Sequence, residues 1–277
     1  MPVYTYIPLD DPSANGSTDA YGINNAGQIV GSYEVLNRAG VFDNHGFLYS
    51  GGTYTTLDDP SVVTFNFQRV TVATGINASD QIVGSYVGLN GTNGFLYSGI
   101  FITLDDPLAG AGVYPQGINA SGQIVGSYGS HGFLYSNGTY TTLDDPAGGF
   151  TQAYGINDLG QVVGTYVANG LGHGFLYSGG FFTNIDDPAA TFGTTPRGIN
   201  DTGQIVGFYT DSAGNHGFLY SAALTLPSTI PRAPIPLPPA STMRVRSSAP
   251  TTPALAPTVS FSRSHRTRRR QAAPRPT

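Results

Sequence analysis

Residues 21–33 read YGINNAGQIVGSY, and this stretch returns four times with small changes. The later copies are TGINASDQIVGSY, QGINASGQIVGSY, YGINDLGQVVGTY and RGINDTGQIVGFY. Their first glycines lie at positions 22, 75, 117, 155 and 198, so successive copies are separated by 53, 42, 38 and 43 residues. Self-similarity at such a period is the signature of a repeat protein, so the fold is predicted to consist of five equivalent units.

Each copy is followed by a second motif, GFLYS, and then by a run similar to TYTTLDDP. Short β-rich segments separated by Gly, Asn, Asp and Pro predict four strands per unit, which in the first unit are residues 20–24, 28–33, 46–50 and 53–57. Adjacent apolar residues in QIVG and GFLY predict strands that are covered on both faces. Four antiparallel strands in a repeat of about 40 residues are typical of a β-propeller blade.

The two ends of the repeat array complement each other. The chain starts with Val3 to Leu9 followed by Asp10-Asp11-Pro12, which has the pattern of a fourth strand, whereas the fifth unit ends at Ser221 after three strands. We therefore predict that the N-terminal strand pairs with the last GFLYS. The predicted fold is all-β, with residues 1–226 forming a five-bladed β-propeller of four-stranded antiparallel blades that is closed by the N-terminal strand.

Residues 227–277 change abruptly to Pro, Ser, Thr, Ala and Arg, and this composition predicts a disordered C-terminal tail. The genetic code allows a second interpretation. Ser221–Pro231 reads SAALTLPSTIP and can be encoded by codons that translate as SGGTYTTLDDP when a single G is restored after the first codon. The same shift derives residues 240–249, ASTMRVRSSA, from GINDAGQIVG, and residues 258–262, TVSFS, from HGFLL. We therefore hypothesise that the tail is a frameshifted sixth repeat.

Together the motifs GINxxGQIVGxY, HGFLYSGG and YTTLDDP resemble the HAF repeats of extracellular bacterial proteins, over nearly all of residues 3–221. The resemblance implies an extracellular or cell-surface location. It supplies no catalytic residues that could be transferred to this chain. The first residues, MPVYTYIPLDDP, contain neither the basic nor the apolar region of a signal peptide.

The charge of the chain is divided between its two parts. Residues 1–226 contain three arginines and all 17 acidic residues, whereas residues 227–277 contain nine arginines and no acid. The acidic repeats would repel phosphate groups, so no nucleic-acid partner is expected. No apolar run approaches the ~20 residues that cross a bilayer, so we expect no membrane insertion. Cysteine is absent, which excludes thiol chemistry. We also expect the chain to be a monomer.

Pairs of aspartates followed by proline recur at the end of each predicted fourth strand. Paired carboxylates can bind Ca²⁺ or transfer protons. Asp also accepts backbone N–H groups in turns, and Pro keeps the preceding residue extended, so the pairs are interpreted as structural repeat turns. They are Asp10 and Asp11, Asp58 and Asp59, Asp105 and Asp106, Asp144 and Asp145, and Asp186 and Asp187.

Histidines precede GFLYS in four units, at His45, His131, His173 and His216, and Asn93 takes this place in the second unit. Zinc binding needs side chains that converge within ~2.1 Å of one ion, whereas equivalent positions of a ring diverge. We therefore predict that these histidines form hydrogen bonds in loops. Neither a metal site nor a cofactor is predicted.

The loops that break the repeat pattern are the predicted ligand-binding positions, because recognition is concentrated in loops. These positions are Glu34, Arg38 and Asp43 in the first insertion, and Phe65, Phe67 and Arg69 in the second. Glycosidases place two or three carboxylates around the axis of a propeller, usually including a glutamic acid, and Glu34 is the only glutamate of this chain. No catalytic residue is predicted for this reason.

The predicted function is that of a non-catalytic repeat protein, which is not an enzyme and which acts as a binding or display scaffold through its loops. Its partner would be a protein or a glycan. The alternative is a multivalent carbohydrate-binding lectin, since Tyr, Phe, Asn and Asp on short loops suit sugars. A glycoside hydrolase is the third and least favoured interpretation.

Overall fold

The computed structural model describes residues 7–64, 68–105 and 112–221. These residues form 19 β-strands and no helix, so this part of the chain has no helix that could span a membrane. The first unit contains β1 (Thr18–Ile23), β2 (Ile29–Leu36), β3 (Phe42–Ser50) and β4 (Thr53–Leu57). The second contains β5 (Thr71–Ile76), β6 (Ile82–Gly88), β7 (Gly91–Tyr97) and β8 (Phe101–Leu104).

The later units repeat this order of strands. The third contains β9 (Val113–Ile118), β10 (Ile124–Tyr128), β11 (His131–Ser136) and β12 (Thr139–Leu143). The fourth contains β13 (Phe150–Ile156), β14 (Val162–Ala168), β15 (Leu171–Ser178) and β16 (Phe181–Asn184). The fifth contains β17 (Gly193–Ile199), β18 (Ile205–Asp211) and β19 (Gly214–Tyr220). The prediction of an all-β chain is confirmed.

Each of the first three units is a four-stranded antiparallel sheet in which consecutive strands are neighbours. The remaining seven strands form one sheet, because a parallel bridge between Gly172 and Gly193 joins β15 to β17. Apart from that bridge, the fourth and fifth units follow the same antiparallel order. Four-stranded antiparallel sheets, as predicted, are therefore the building unit.

The two apolar residues of QIVG serve two different interfaces. Val83 of the second unit packs with Ile124 and Phe133 of the third, and Val125 of the third packs with Val162 of the fourth. The first apolar residue therefore contacts the preceding unit and the second contacts the following one. Because the sheets of the second, third and fourth units are covered on both faces, the hydrophobic core consists of layers between units.

The glycine that follows these apolar residues allows an aromatic ring to pack against the backbone. A side chain at Gly84 would overlap the carbonyl oxygen of Val72, and its Cβ would lie 2.7 Å from Cζ of Phe95. The strand β5 bulges between Ala73 and Gly75 at the same level. The Phe95 ring is fully buried as a result.

The fifth unit has no fourth strand within the described residues. Tyr33 and Phe47 of the first unit are buried, whereas their equivalents Tyr209 and Phe218 are half-buried. Residues 1–6 lie outside the described part of the chain, and Ile7 is exposed and belongs to no strand. Closure by the N-terminal strand therefore stays a prediction.

Candidate functional site

Each GIN motif ends one inner strand and begins a tight turn. In the third unit, Oδ1 of Asn119 accepts the backbone N–H of Gln123 at 2.9 Å, and its Nδ2 donates to Oε1 of the same glutamine at 2.8 Å. Gly122 has a φ of +77°, a conformation that glycine adopts without strain. The asparagine thus fixes the turn through its own side chain.

The same asparagines also join neighbouring units. Nδ2 of Asn119 donates to the backbone oxygen of Asn157 at 3.0 Å, and equivalent bonds connect Asn24 to Asn77, Asn77 to Asn119, and Asn157 to Asn200. We call this set the asparagine ladder. In the fifth unit Nδ2 of Asn200 donates to Gln204 within its own turn. The ladder therefore has four interunit bonds.

The five turns surround a cavity of about 270 Å³, which we call the axial pocket. It is lined by the Ile and Asn of each GIN motif together with the residue that follows. The residues in this following position differ between units and are Asn25, Ala78, Ala120, Asp158 and Asp201. The lining is therefore symmetric except at this position, which places two carboxylates on one side.

Both carboxylates are held by the backbone. Oδ1 of Asp158 accepts the N–H of Ala120, and Oδ1 of Asp201 accepts the N–H of Asp158, each at 2.8 Å. The second oxygen of each carboxylate has no hydrogen-bond partner among the described residues. The site can therefore accept hydrogen bonds from a positively charged or hydroxylated ligand.

Sheets that pack face to face, with their first strands meeting at one pocket, define the β-propeller class of fold. No family model and no curated protein matches this chain. Virginiamycin B lyase from Staphylococcus aureus is a similar solved structure, with 12% identity and a TM-score of 0.47 over 75% of this chain and 71% of the lyase. The β-propeller domain of the Trilobed protease from Pyrococcus furiosus has 9% identity and a TM-score of 0.39 over 73% of this chain and 81% of that chain.

A third similar structure is fructan 1-exohydrolase IIa from Cichorium intybus, with 8% identity and a TM-score of 0.34 over 78% of this chain and 60% of that chain. The similar structures thus include a lyase and an exohydrolase, and this finding overturns the prediction of a non-catalytic scaffold. That prediction was based on the single glutamate, Glu34. The reasoning fails physically because other side chains can also carry out catalysis, and a propeller brings residues from several units together at its axis. At this identity the likeness concerns the fold alone, so no activity is transferred.

The histidines lie at the end of each sheet opposite to the axial pocket. Nδ1 of the histidine is 2.7 Å from Oδ2 of the first Asp of the pair in three units, which join His45 to Asp58, His131 to Asp144, and His173 to Asp186. In the fifth unit Nε2 of His216 is 3.0 Å from Asp211 instead. Each of these three pairs connects the third strand of its unit to the turn that follows the fourth strand.

The second Asp of each described pair closes the turn that leads to the next unit. Oδ1 of Asp11 accepts the backbone N–H of Ser13, and Asp59, Asp145 and Asp187 accept equivalent bonds, all between 2.7 and 2.9 Å. Asp10 and Asp105 are exposed, and Asp106 lies outside the described residues. No group of three His, Asp or Glu side chains that could hold a metal occurs in the described ranges.

Four of the predicted ligand-binding residues, Glu34, Arg38, Asp43 and Arg69, lie in the described part of the chain, and their role in ligand binding stays a prediction. Oε2 of Glu34 accepts the N–H of Ser17, and Oδ1 of Asp43 accepts the N–H of Arg69, so both carboxylates hold neighbouring backbone. Arg38 is exposed on a hairpin turn. Phe65 and Phe67 lie outside the described residues.

The sequence interpretation missed Asp158, Asp201 and Asn25. It used the asparagines only as residues that separate strands and did not consider the residue after each of them. The signal was available, because this position carries Asn, Ala, Ala, Asp and Asp inside an otherwise uniform motif. A change of residue type at an equivalent position of a ring marks a place where the symmetry is broken.

We expect the replacement of His45 by asparagine to destabilise the protein by about 1 kcal/mol at pH 5.5 and by less at pH 8.5. The hydrogen bond to Asp58 raises the pKa of His45 above its usual value, although burial opposes this. A raised folded-state pKa stabilises the protein below the unfolded pKa of about 6.5, and this contribution is lost as pH rises through the folded value. Urea unfolding at both pH values measures it.

The second unit provides the control for this prediction, because Asn93 naturally replaces the histidine there. Asp105→Asn removes the equivalent carboxylate of that unit, which has no histidine partner. It should change stability equally at both pH values. A His45→Asn variant with the same loss at pH 5.5 and pH 8.5 contradicts the prediction.

Proposed function

We propose that the chain binds one small, polar, positively charged ligand in the axial pocket. The observation that supports this most directly is the pair of carboxylates on one side of that pocket, each with an oxygen that lacks a partner. This is a single small-molecule site on the axis, and it differs from partner recognition by outer loops.

The size of the pocket supports a small ligand. Ligand sites usually have volumes of about 300–1,000 Å³, and 270 Å³ lies just below this range. A second cavity, next to His173, has only about 60 Å³, which leaves room for little more than water. The axial pocket is thus larger than the cavity next to His173.

The negative charge of the repeats supports a positively charged ligand. Residues 1–226 carry three arginines against 17 acids, and such an excess raises the local concentration of cations. Arg197, in β17, stacks on the ring of Tyr154 with its guanidinium carbon 4.1 Å from the ring centroid, so its charge has an aromatic partner. An amine is therefore preferred to an anion.

Calorimetric titration of the full chain with 1,4-diaminobutane at low ionic strength tests this function. We expect one diamine per chain and much weaker binding of 1,4-butanediol, which has the same length but no charge. Replacing both Asp158 and Asp201 by asparagine should weaken diamine binding roughly 10-fold, since each exposed ion pair contributes up to about 1 kcal/mol.

Asp105→Asn is the matched control, because it removes one charge at the opposite end of a sheet. It should leave diamine binding unchanged. Equal binding of diamine and diol, or equal weakening in the control, contradicts the proposal. The predictions that the chain is not an enzyme, is extracellular and belongs with the HAF repeats stay predictions.

The five-bladed ring closed by residues 3–9 also stays a prediction. Five copies of the motif and the shared axial pocket support the interpretation of the five units as blades.

A further inference from the structure

The last blade has an uncovered apolar face. Val206 is 51% exposed, whereas the equivalent valines of the first four blades, Val30, Val83, Val125 and Val163, are fully buried against the following blade. Leu219 is 59% exposed, although its equivalents pack against the core of the next blade. Both side chains point to where a following blade would lie.

The first blade is uncovered on its opposite face. Ile23 is 67% exposed, and its equivalent Ile76 is buried. Ala20 is exposed, and its equivalent Ala73 is buried against the first blade. The described strands of the first and fifth blades also lack the extensive contacts that join all consecutive blades. The stack therefore lacks a neighbour at both ends.

The hydrogen bonds of the axial pocket stop at the same place. Within the described residues, Asn200 makes no hydrogen bond to a following turn, and the backbone N–H of Asp201 has no acceptor equivalent to the one that Asp201 offers to Asp158. The decoded stretch GINDAGQIVG supplies an Asn and an Asp in the required order, and its glycine lies 42 positions after Gly198. A blade of this sequence would continue both sets of bonds.

The histidine of the fifth blade gives independent support. The three regular histidine–aspartate pairs are each separated by 13 residues. In the decoded stretch SGGTYTTLDDP, the first Asp falls 13 positions after His216. In the structure His216 pairs with Asp211 of its own hairpin instead.

We propose that the uncovered faces of the first and fifth blades together form the seat of a sixth blade. Its occupant is the segment 222–262 read in the neighbouring frame. This segment gives the fifth blade its fourth strand and supplies three strands of the sixth. In this arrangement Val3 to Leu9 completes the sixth blade and not the fifth, so the proposal replaces the five-bladed closure predicted from the sequence. The proposal does not depend on a ligand in the axial pocket.

Two full-length chains test the proposal. The first has the present sequence and is called the given chain. The second is produced from a gene in which the single nucleotide is restored and is called the restored chain. We expect the restored chain to unfold about 5 °C or more above the given chain, and its residues 222–262 to resist proteinase K. Val206→Asp should lower the unfolding temperature strongly in the restored chain, where Val206 is covered, and only slightly in the given chain. Val163→Asp is the matched control, because Val163 is buried in both chains and should destabilise both.

Three results overturn the proposal. The first is a restored chain that is no more stable than the given one. The second is an equal effect of Val206→Asp in both chains. The third is a given chain that dimerises in light scattering and becomes monomeric with Val206→Asp, since a second copy would then cover the face. Diamine binding by the given chain is measured separately, so failure of either proposal can be told from failure of the other.

Discussion

Replacing Phe133 by alanine is expected to lower the free energy of unfolding by about 3–5 kcal/mol. Phe133 has no exposed surface and packs between the second and third blades with Val83 and Leu104. Its ring also meets that of Tyr140 in a T-shaped contact with 5.4 Å between the centroids. Removal of the ring leaves a cavity that the stiff sheets on both sides cannot fill. Urea unfolding followed by tyrosine fluorescence measures the change.

The matched control is Phe218→Ala, since Phe218 is the equivalent residue of the fifth blade and is only half-buried. We expect its loss to be less than half that of Phe133→Ala, because its ring is already in contact with water. Equal losses for the two variants would mean that the aromatic layer does not stabilise the stack through burial between blades.

Replacing Gly84 by alanine is expected to cost about 3 kcal/mol, although only a methyl group is added. This methyl group would overlap the backbone carbonyl of Val72 and would meet the Phe95 ring at 2.7 Å. Backbone atoms cannot move aside as the end of a flexible side chain can. The sheet must therefore separate at the bulge of β5, which disturbs the hydrogen bonds next to it.

Gly149→Ala is the control for this variant. No atom lies within 4 Å of a methyl group placed at Gly149, and its backbone has no positive φ. Its effect should stay within about 0.5 kcal/mol. Comparable losses at Gly84 and Gly149 would indicate that glycine acts through the unfolded chain and not through the close approach of Phe95.

The sequence was sufficient to locate the strands, because the motif repeats and each strand is bounded by turn residues. The fourth strand of the first blade was predicted at residues 53–57 and is found at Thr53–Leu57. The second was predicted to end at residue 33 but continues to Leu36, since Glu34 pairs with Asn44 and Leu36 with Phe42. The first insertion is therefore mostly a longer hairpin, and ligand binding by Glu34, Arg38 and Asp43 stays a prediction.

The candidate site was harder to predict than the strands. Asp158 and Asp201 are 43 residues apart, and they meet only because successive blades turn about one axis. The histidine–aspartate pairs were within reach of the sequence, because the same interval separates them in three blades. A comparison of intervals between motifs, in addition to the motifs themselves, would have revealed them.

The asparagine ladder has a consequence for how the gene can change. Each bond joins a side chain of one turn to the main chain of the next, so it depends on the short turn and not on the number of residues between turns. Intervals of 53, 42, 38 and 43 residues are all accommodated, with bonds of nearly equal length. Insertions and deletions can therefore accumulate away from the axis without loss of alignment at it. The outer loops are free to diverge while the axis stays constant.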